Sequence, residues 1–451
     1  MQTKRLLTLP EFPFKESFLK FYKDTGIDFY FVGGFVRDIL LNRNIKDIDI
    51  VAEGIDYNEC AKILNRYIKG SIIPFKDNIR ITKNDLIIDV SKLRGDKIVD
   101  DLNKRDFTIN NLAYHFDKGL IGNYKDLEDN VIRIAYNDAF KDDPLRVLRG
   151  YRFVSQLGFI IEDNTRSLML EFTPYLLEIP SERILTELNA IFLGDHFIKS
   201  LELIIQDKLF LTLFPSMKKL ENLYGGIYHI EDVLPHTYSV VKEIHSRIQH
   251  FSDHDKIILI LSALLHDTGK GDERYKDTPG KFVGHEEISA QLAELELKRL
   301  SYPNKVIKEV TLLVKKHGVI RKYATNVAKD STVLKFIYEN LHILEKLIIL
   351  SIADAHSKNR CDISFHKMIE KIEHLKTKID LSKKSLIDGN YLIKLGVEKS
   401  PILGKLLNDI HFRLATGIIK TKEEVEKYIK MKLSEKTIAY NKKALKNSKK
   451  L

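Results

Sequence analysis

Phe29-Tyr30-Phe31-Val32-Gly33-Gly34-Phe35-Val36-Arg37-Asp38, followed shortly by Lys46-Asp47-Ile48-Asp49-Ile50-Val51, decides how the first third of the chain folds. The first run reads as a β-branched and aromatic strand, a glycine turn and the start of a helix. Such a turn lets backbone N–H groups approach a phosphate at the positive end of the helix. The second run places two carboxylates at i and i+2, on one face of a strand, while Ile48 and Ile50 face the other way into a core. Two acids held together repel, and a hard divalent cation relieves the repulsion. Mg²⁺ takes oxygen ligands and keeps substrate phosphates in its shell, so this pair beside a phosphate-cradling turn points to two-metal nucleotidyl transfer. Asp89, in the apolar strand Leu86-Ile87-Ile88-Asp89-Val90, is a candidate third acid.

Working outward, Phe29–Val32, Ile48–Ala52 and Leu86–Val90 read as strands, and Phe35–Leu41 and Tyr57–Ile68 as helices, which makes an α/β domain of the first ~140 residues. From Asp143 onward apolar residues recur at helical spacing, as in Leu145, Leu148 and Tyr151, then Ile184, Leu188 and Ile191. Breaks at Tyr224–Tyr228 and Lys322–Ser331 suggest boundaries. The expected segments are 1–142, 143–222, 223–360 and 361–451. With 44% hydrophobic residues in 451, bulk disorder is excluded. No apolar run approaches the roughly 20 residues that span a bilayer, and Met1–Glu16 is charged where a signal peptide is apolar, so a cytoplasmic protein with no membrane partner is expected. Two cysteines, Cys60 and Cys361, cannot make a disulfide framework or a thiolate zinc cluster. The net charge of +10 permits an anionic partner such as nucleic acid. Lys436–Leu451, with six lysines and no acid, reads as a frayed solvated helix.

Further clusters follow the Asp pair. Lys104-Arg105-Asp106-Phe107-Thr108-Ile109-Asn110 precedes a helix, and Asp143-Pro144-Leu145-Arg146 opens a run that carries Arg149 and Arg152, arginines at i, i+3 and i+6. That stripe reads either as a solvated face or as a polyphosphate or RNA contact. Glu162-Asp163-Asn164-Thr165-Arg166 and Glu182-Arg183 through Glu187 come next. An Asp accepts where an amino edge donates and an Arg does the reverse, so one Asp–Arg pair can read a base edge.

In this order the motifs resemble the class II tRNA nucleotidyltransferases and their relatives, the bacterial poly(A) polymerases, over roughly residues 25–200. The resemblance implies an α/β nucleotidyltransferase head, a small mixed sheet with helices, followed by an all-α neck. It implies that Asp47 and Asp49 bind Mg²⁺ and that Gly33, Gly34 and Arg37 hold the triphosphate. Arg105 and Asp106 would contact the ribose, and Asp163 with Arg166 would select CTP or ATP, supported by Glu182, Arg183 and Glu187. Asn110, Asp143, Arg146, Arg149, Arg152 and Glu162 complete the expected nucleotide contacts. The implied activity extends the 3′ end of tRNA, held by its acceptor arm, with CMP or AMP and releases pyrophosphate. Two departures stand out. Lys104 occupies a position where members usually have Arg, which loses bidentate geometry. Only nine residues, Gly95–Asn103, separate Arg94 from Lys104. Members that add only the two cytidines have a shortened loop there, so CC addition and full CCA addition both stay open, as does poly(A) synthesis.

The histidines form a second constellation: His236, then His266-Asp267 at the end of an apolar helix, His285, His317 and Asp354. Imidazole and carboxylate are ligands that a borderline or hard divalent ion accepts without thiolate. With Leu264-Leu265-His266-Asp267-Thr268-Gly269-Lys270, the set resembles the HD metal-dependent phosphohydrolases over roughly 228–356. That resemblance implies an all-α HD domain in which His236, His266, Asp267 and Asp354 hold one divalent transition metal, His285 and His317 help hold a second, and Lys270 meets a phosphate. It further implies phosphatase or 2′,3′-cyclic phosphodiesterase action on RNA ends. An HD phosphohydrolase whose head only binds RNA is the reading from another class. Leu386–Leu407 resembles the family's helical tail, for which gripping the tRNA body is the expected role.

Overall fold

The computed structural model describes residues 9–45, 47–225, 232–278, 280–358 and 362–434. Lys46, most of the Tyr224–Tyr228 break, Cys361 and the lysine-rich Lys436–Leu451 stretch lie outside them. The chain forms two compact units, the first from residues 1–218 with 251–257 and 295–303, the second from 219–250, 258–294 and 304–451.

In the first unit, helix α1 (Lys15–Thr25), which the sequence reading did not place, precedes strand β1 (Phe29–Val32), helix α2 (Gly34–Leu40), strand β2 (Asp47–Ala52) and helix α3 (Tyr57–Ile68), which follow the sequence pattern closely. Strands β3 (Ser71–Pro74), β4 (Asn78–Lys83) and β5 (Leu86–Ser91), helix α4 (Ile98–Asn103), and strands β6 (Ala113–His115) and β7 (Gly119–Ile121) complete the head. The sheet runs β3-β4-β5-β2-β1-β6-β7; β2 and β5 are parallel and the other pairs antiparallel, so the sheet is mixed, as expected. An aromatic core covers one face of β1: the rings of Phe18 and Phe35 lie 5.0 Å from that of Phe31, and Phe12 lies 5.2 Å from it. Phe18, Phe21, Phe29, Phe31 and Phe35 are buried, each contributing roughly 1.5–3 kcal/mol relative to exposure.

Beyond the head the unit is helical: Arg146–Leu157, Asp163–Phe172, Ser181–Phe192 and Phe197–Gln206. Val147, Leu148, Tyr151 and Val154 form the buried stripe of the first, which Gly158 ends in the left-handed conformation. Residues 295–303 return to this unit: Tyr302 Oη donates to Asn189 Oδ1 (3.1 Å), and Glu296 Oε1 accepts from the Ser216 amide (2.8 Å).

The second unit is built of helices among its described residues, including Val233–Arg247, Asn304–Lys316, Asp330–Asn340, Leu344–Ser357, Ile363–Lys376 and Pro401–Ala415. Its last part has a core of its own around Ile387, Leu392, Val397, Ile410, Leu414 and Val425. Asp388 caps the helix Gly389–Lys394 by accepting from the Tyr391 amide (2.7 Å), and Ser400 caps the next, which begins at Pro401. Among the described residues no helix is long and apolar enough to cross a membrane.

Candidate active site and a second metal-ligating centre

Gly33 decides the local geometry of the first site. Its φ of +63° favours glycine, and a Cβ there would lie 2.5 Å from Arg105 Nη1. The turn thus brings backbone and guanidinium together at the mouth of a cavity of about 870 Å³, lined among others by Gly34, Asp49, Arg105, Asp106, Asn110, Asp143, Arg146, Arg149 and Arg183. A smaller cavity of about 320 Å³ is lined by Gly34, Arg37, Asp38, Arg43, Asp47 and Asp49 among others. Asp49 borders both.

Alternation along β2 sends Ile48 and Ile50 into the core and Asp47 and Asp49 to the cavity face. Burial pushes the Asp49 carboxyl up to about 6; the nearby Asp89 and Asp47 charges add to the rise, while Arg105 and Arg37 oppose it. A carboxylate held in this way beside a second one fits a divalent cation. Asp89 stands opposite Asp49 in the parallel β2–β5 register, but its carboxylate is taken bidentately by Arg80 at 2.9 and 2.8 Å and it lines neither cavity. The candidate third acid thus stands beside Asp49, close enough for its charge to be felt there, with its carboxylate held by Arg80.

Arg105 is held by a residue that the sequence reading missed. Asp101, one helical turn earlier, is buried and accepts from Arg105 Nε (2.9 Å) and Nη2 (2.6 Å), and its other oxygen accepts from the Arg94 amide (3.2 Å). The i, i+4 spacing of acid and arginine was its one visible signal. Asp106 is also buried; its Oδ1 accepts from the Phe107 amide and Asn110 Nδ2, and its Oδ2 meets Arg149 Nη2 at 2.8 Å. Against the effect of burial, Arg149 and these donors hold its carboxyl below the usual range. Asn110 Oδ1 accepts from Arg37 Nη1 (2.8 Å), so Arg37, Asn110, Asp106 and Arg149 form one connected chain.

The arginine stripe is not a plain solvated face: Arg146 and Arg149 line the large cavity, and two of its guanidiniums are paired. Arg149 pairs with Asp106 and Arg152 with Glu187 (3.1 Å), and the guanidiniums of Arg37, Arg149 and Arg152 surround the Phe153 ring at 5.1, 6.0 and 4.8 Å. Arg146 lines the large cavity and donates to Tyr136 Oη (2.8 Å).

The expected base-reading pair sits together on the first turn of the helix Asp163–Phe172. Arg166 is spent on Asp207, at 2.6 Å from Nη2 and 3.0 Å from Nε, and on Gln206. Glu162 caps the helix by accepting from the Thr165 amide, and Asp163 is exposed at its start; none of the three lines the cavity. Asp143 and Arg146 do. Asp143 Oδ2 accepts from Arg183 Nη2 (2.8 Å) and its Oδ1 from the Leu145 amide (3.2 Å), which fixes the carboxylate.

In the second unit the histidines converge. His236, His266, Asp267 and Asp354 each offer a ligand atom within 4.8 Å of the others, and Asp267, His285 and His317 do the same. Asp267 belongs to both sets: its Oδ2 lies 3.1 Å from His266 Nε2 and its Oδ1 lies 3.1 Å from His285 Nε2. His266, His285 and His317 each place Nδ1 2.7–2.8 Å from the carbonyl three residues earlier, which turns Nε2 inward. His266 Nε2, His285 Nε2 and Asp267 Oδ1 are buried without a directional hydrogen bond. Lys270 Nζ donates to Asp267 Oδ2 (2.7 Å) and Lys358 Nζ to Asp354 Oδ1 (2.6 Å). Against burial, the carboxylates lift His266 to about 9, while burial and the neighbouring His266 charge press His317 down to about 3. Inward nitrogen and oxygen donors with orphaned atoms fit divalent metal ions.

Three family profiles match the chain: "Poly A polymerase head domain" over residues 29–133, "Probable RNA and SrmB- binding site of polymerase A" over 158–220, and "tRNA nucleotidyltransferase domain 2 putative" over 282–426. The chain is 27% identical to the CC-adding tRNA nucleotidyltransferase of Thermus thermophilus, across 90% of this chain and 94% of that one. It is 28% identical to the A-adding tRNA nucleotidyltransferase of Deinococcus radiodurans, across 88% and 94%. The Thermotoga maritima CCA-adding enzyme complexed with tRNA has a similar structure, with a TM-score of 0.61 and 25% identity over 92% of this chain and 93% of that one. With the glycine turn, the Asp pair and the cavity arginines in place, the chain belongs to the class II tRNA nucleotidyltransferases.

Proposed function

We propose that this enzyme transfers CMP from CTP to the 3′ end of tRNA and stops at CC, and that its second unit hydrolyses phosphate esters at RNA ends. The cavity that joins Asp49 to the Asp143–Arg146 pair carries the first part. Asp47 and Asp49 would hold Mg²⁺, which when bound neutralises charge that develops on the transferred phosphoryl group. The tRNA 3′-hydroxyl attacks the α-phosphate in line, and pyrophosphate leaves. Gly33, Gly34 and Arg105 line the path of the phosphates and sugar, with Asp101 fixing Arg105. Base choice falls to Asp143 and Arg146 in place of Asp163 and Arg166. Cytosine presents a donor at N4 and acceptors at N3 and O2, which an accepting carboxylate and a donating guanidinium match; uracil reverses the edge and is refused.

This assignment makes a direct prediction. Asp143→Ala should let UTP compete with CTP, while Arg166→Ala should keep CTP preference and lower the melting temperature, because the buried Asp207 keeps Tyr151 Oη as a donor but loses its counter-charge. The opposite pattern in a nucleotide-competition assay would return base reading to Asp163 and Arg166.

Stopping at CC is supported by the short Gly95–Asn103 stretch, most of which is helix α4 (Ile98–Asn103), so that only residues 92–97 link β5 to α4. This link is tied down through the Arg94 amide on Asp101 and Arg94 Nη1 on the Lys104 carbonyl (3.3 Å), and a Cβ on Gly95 would lie 2.5 Å from Asp100 Cβ. A segment pinned at these points favours one pocket shape, and hence one base. Incubation with CTP and ATP together should turn discriminator-ended tRNA into CC-ended product and leave CC-ended tRNA unextended. A complete CCA end on either substrate would replace this reading with full CCA addition.

The two ligand sets that share Asp267 support the second activity, a phosphomonoesterase or 2′,3′-cyclic phosphodiesterase with Lys270 near the substrate phosphate. Divalent ions bound there would supply an activated water.

A further inference from the structure

Strand β2 bears on the nucleotide cavity twice, once directly and once through its far end. Asp47 and Asp49 stand at its start, and Glu53 follows its last residue, Ala52. The Glu53 amide donates to the Asp28 carbonyl (2.9 Å), which fixes the backbone there, and its side chain is half-buried. Glu53 Oε1 accepts from the amide of Ile98, the first residue of helix α4. A helix leaves its first amides without partners of its own, so a carboxylate brought from another element satisfies one of them and suits the positive end.

Helix α4 has six residues, too few to hold its shape unaided. Ile98 and Leu102 pack it against Tyr30, Val32, Val51 and Ala113 of the sheet. One turn beyond Ile98, Asp101 accepts from Arg105 Nε and Nη2, and Arg105 lines the large cavity. Glu53 therefore grips one end of a short bar whose other end aims a guanidinium into the cavity.

We propose that Glu53 is a positioning residue for nucleotide binding, which sets the place of Arg105 through α4 and does not touch the substrate. The inference rests on the reading above in which Arg105 lines the path of the phosphates and sugar, and it adds a residue that lines neither cavity. A contact held equally before and during transfer lowers KM and leaves kcat nearly alone, so the residue that aims the contact carries the same signature.

The test measures kcat and KM for the incorporated nucleotide in the intact enzyme at saturating tRNA. Glu53→Ala should raise this KM about ten-fold, as expected for one lost hydrogen bond to a charged group, and change kcat by less than about two-fold. Glu53→Gln keeps an oxygen within reach of the Ile98 amide and should restore KM. Glu53→Asp keeps the charge, falls one methylene short and should not. Tyr30→Phe removes the hydroxyl 3.4 Å from Glu53 Oε2 and should leave KM unmoved. Arg105→Ala should raise KM by itself, and adding Glu53→Ala to it should change nothing further, because two residues that act through one contact are not additive. A merely structural Glu53 would lower the melting temperature alike in both backgrounds and add its full effect to that of Arg105→Ala. Unaltered KM in Glu53→Ala, full additivity, or rescue by Asp in place of Gln would overturn the proposal. Unaltered KM in Arg105→Ala would instead take that guanidinium out of the nucleotide site, and the proposal with it.

Discussion

Asp49→Asn is expected to abolish CMP incorporation and, in the metal-free protein at pH 8, to raise the melting temperature. The loss of activity follows from removing one of two carboxylates on the cavity face of β2. The gain in stability follows from the same crowding. The fold lifts the Asp49 carboxyl from 3.8 to about 6, so it disfavours the ionised form. For an acid raised in this direction the penalty is full above the folded pKa, shrinks as pH falls through about 6, and vanishes below the unfolded value near 3.8. Removing the charge should therefore stabilise by up to about 3 kcal/mol at pH 8 and by nothing at pH 3.5. Added Mg²⁺ should stabilise the unaltered enzyme and leave the variant unmoved. Calorimetry at the two pH values checks the sign. Residual incorporation near the unaltered rate, or a lower melting temperature at pH 8, would sink the role given to Asp49.

Asp267→Asn should silence the second unit and spare the first. Its two oxygens face different histidines, so one substitution damages both ligand sets. Divalent-ion affinity measured by titration calorimetry should fall by about 100-fold or more, since neutral amide oxygen is a poorer ligand than carboxylate. Hydrolysis of a 2′,3′-cyclic nucleotide should vanish with it, while CMP incorporation continues at its normal rate. The metal-free variant should also lose about 3 kcal/mol, because the buried Lys270 ammonium loses the carboxylate to which it donates. Metal affinity that survives the substitution unchanged would show that Asp267 is not the ligand shared by the two sets.

The parts legible in the sequence were those fixed by local spacing. The Asp47–Asp49 alternation sits in β2 as read, the Gly33 turn is where the strand ends, and all six histidine and aspartate candidates of the second unit converge. Strands β3, β4, β6 and β7 escaped: Asn78–Lys83 does alternate, with Ile79 and Ile81 buried, but has only two apolar residues to show it, and β6 and β7 are three residues each, too short for a period of two to show. The fate of the arginines escaped for another reason. Arg166 looks the same in sequence whether it faces a base or Asp207, and Asp207 lies 41 residues away. The same holds for Arg152 and Glu187, 35 residues apart. Local pattern gives a side chain its face on the helix, and only the tertiary fold supplies the partner that captures it.

The threading of the chain has a bearing on how the enzyme is made and cut. The transferase unit takes its last pieces from residues 251–257 and 295–303, and Asn189 waits for Tyr302. A ribosome must therefore deliver about 85 residues beyond Lys218 before that unit can close, some 4–17 s at ordinary elongation rates. A gene fragment that stops at Lys218 encodes the whole active-site cavity and still lacks part of the scaffold around it, so a soluble minimal transferase calls for a boundary beyond Pro303.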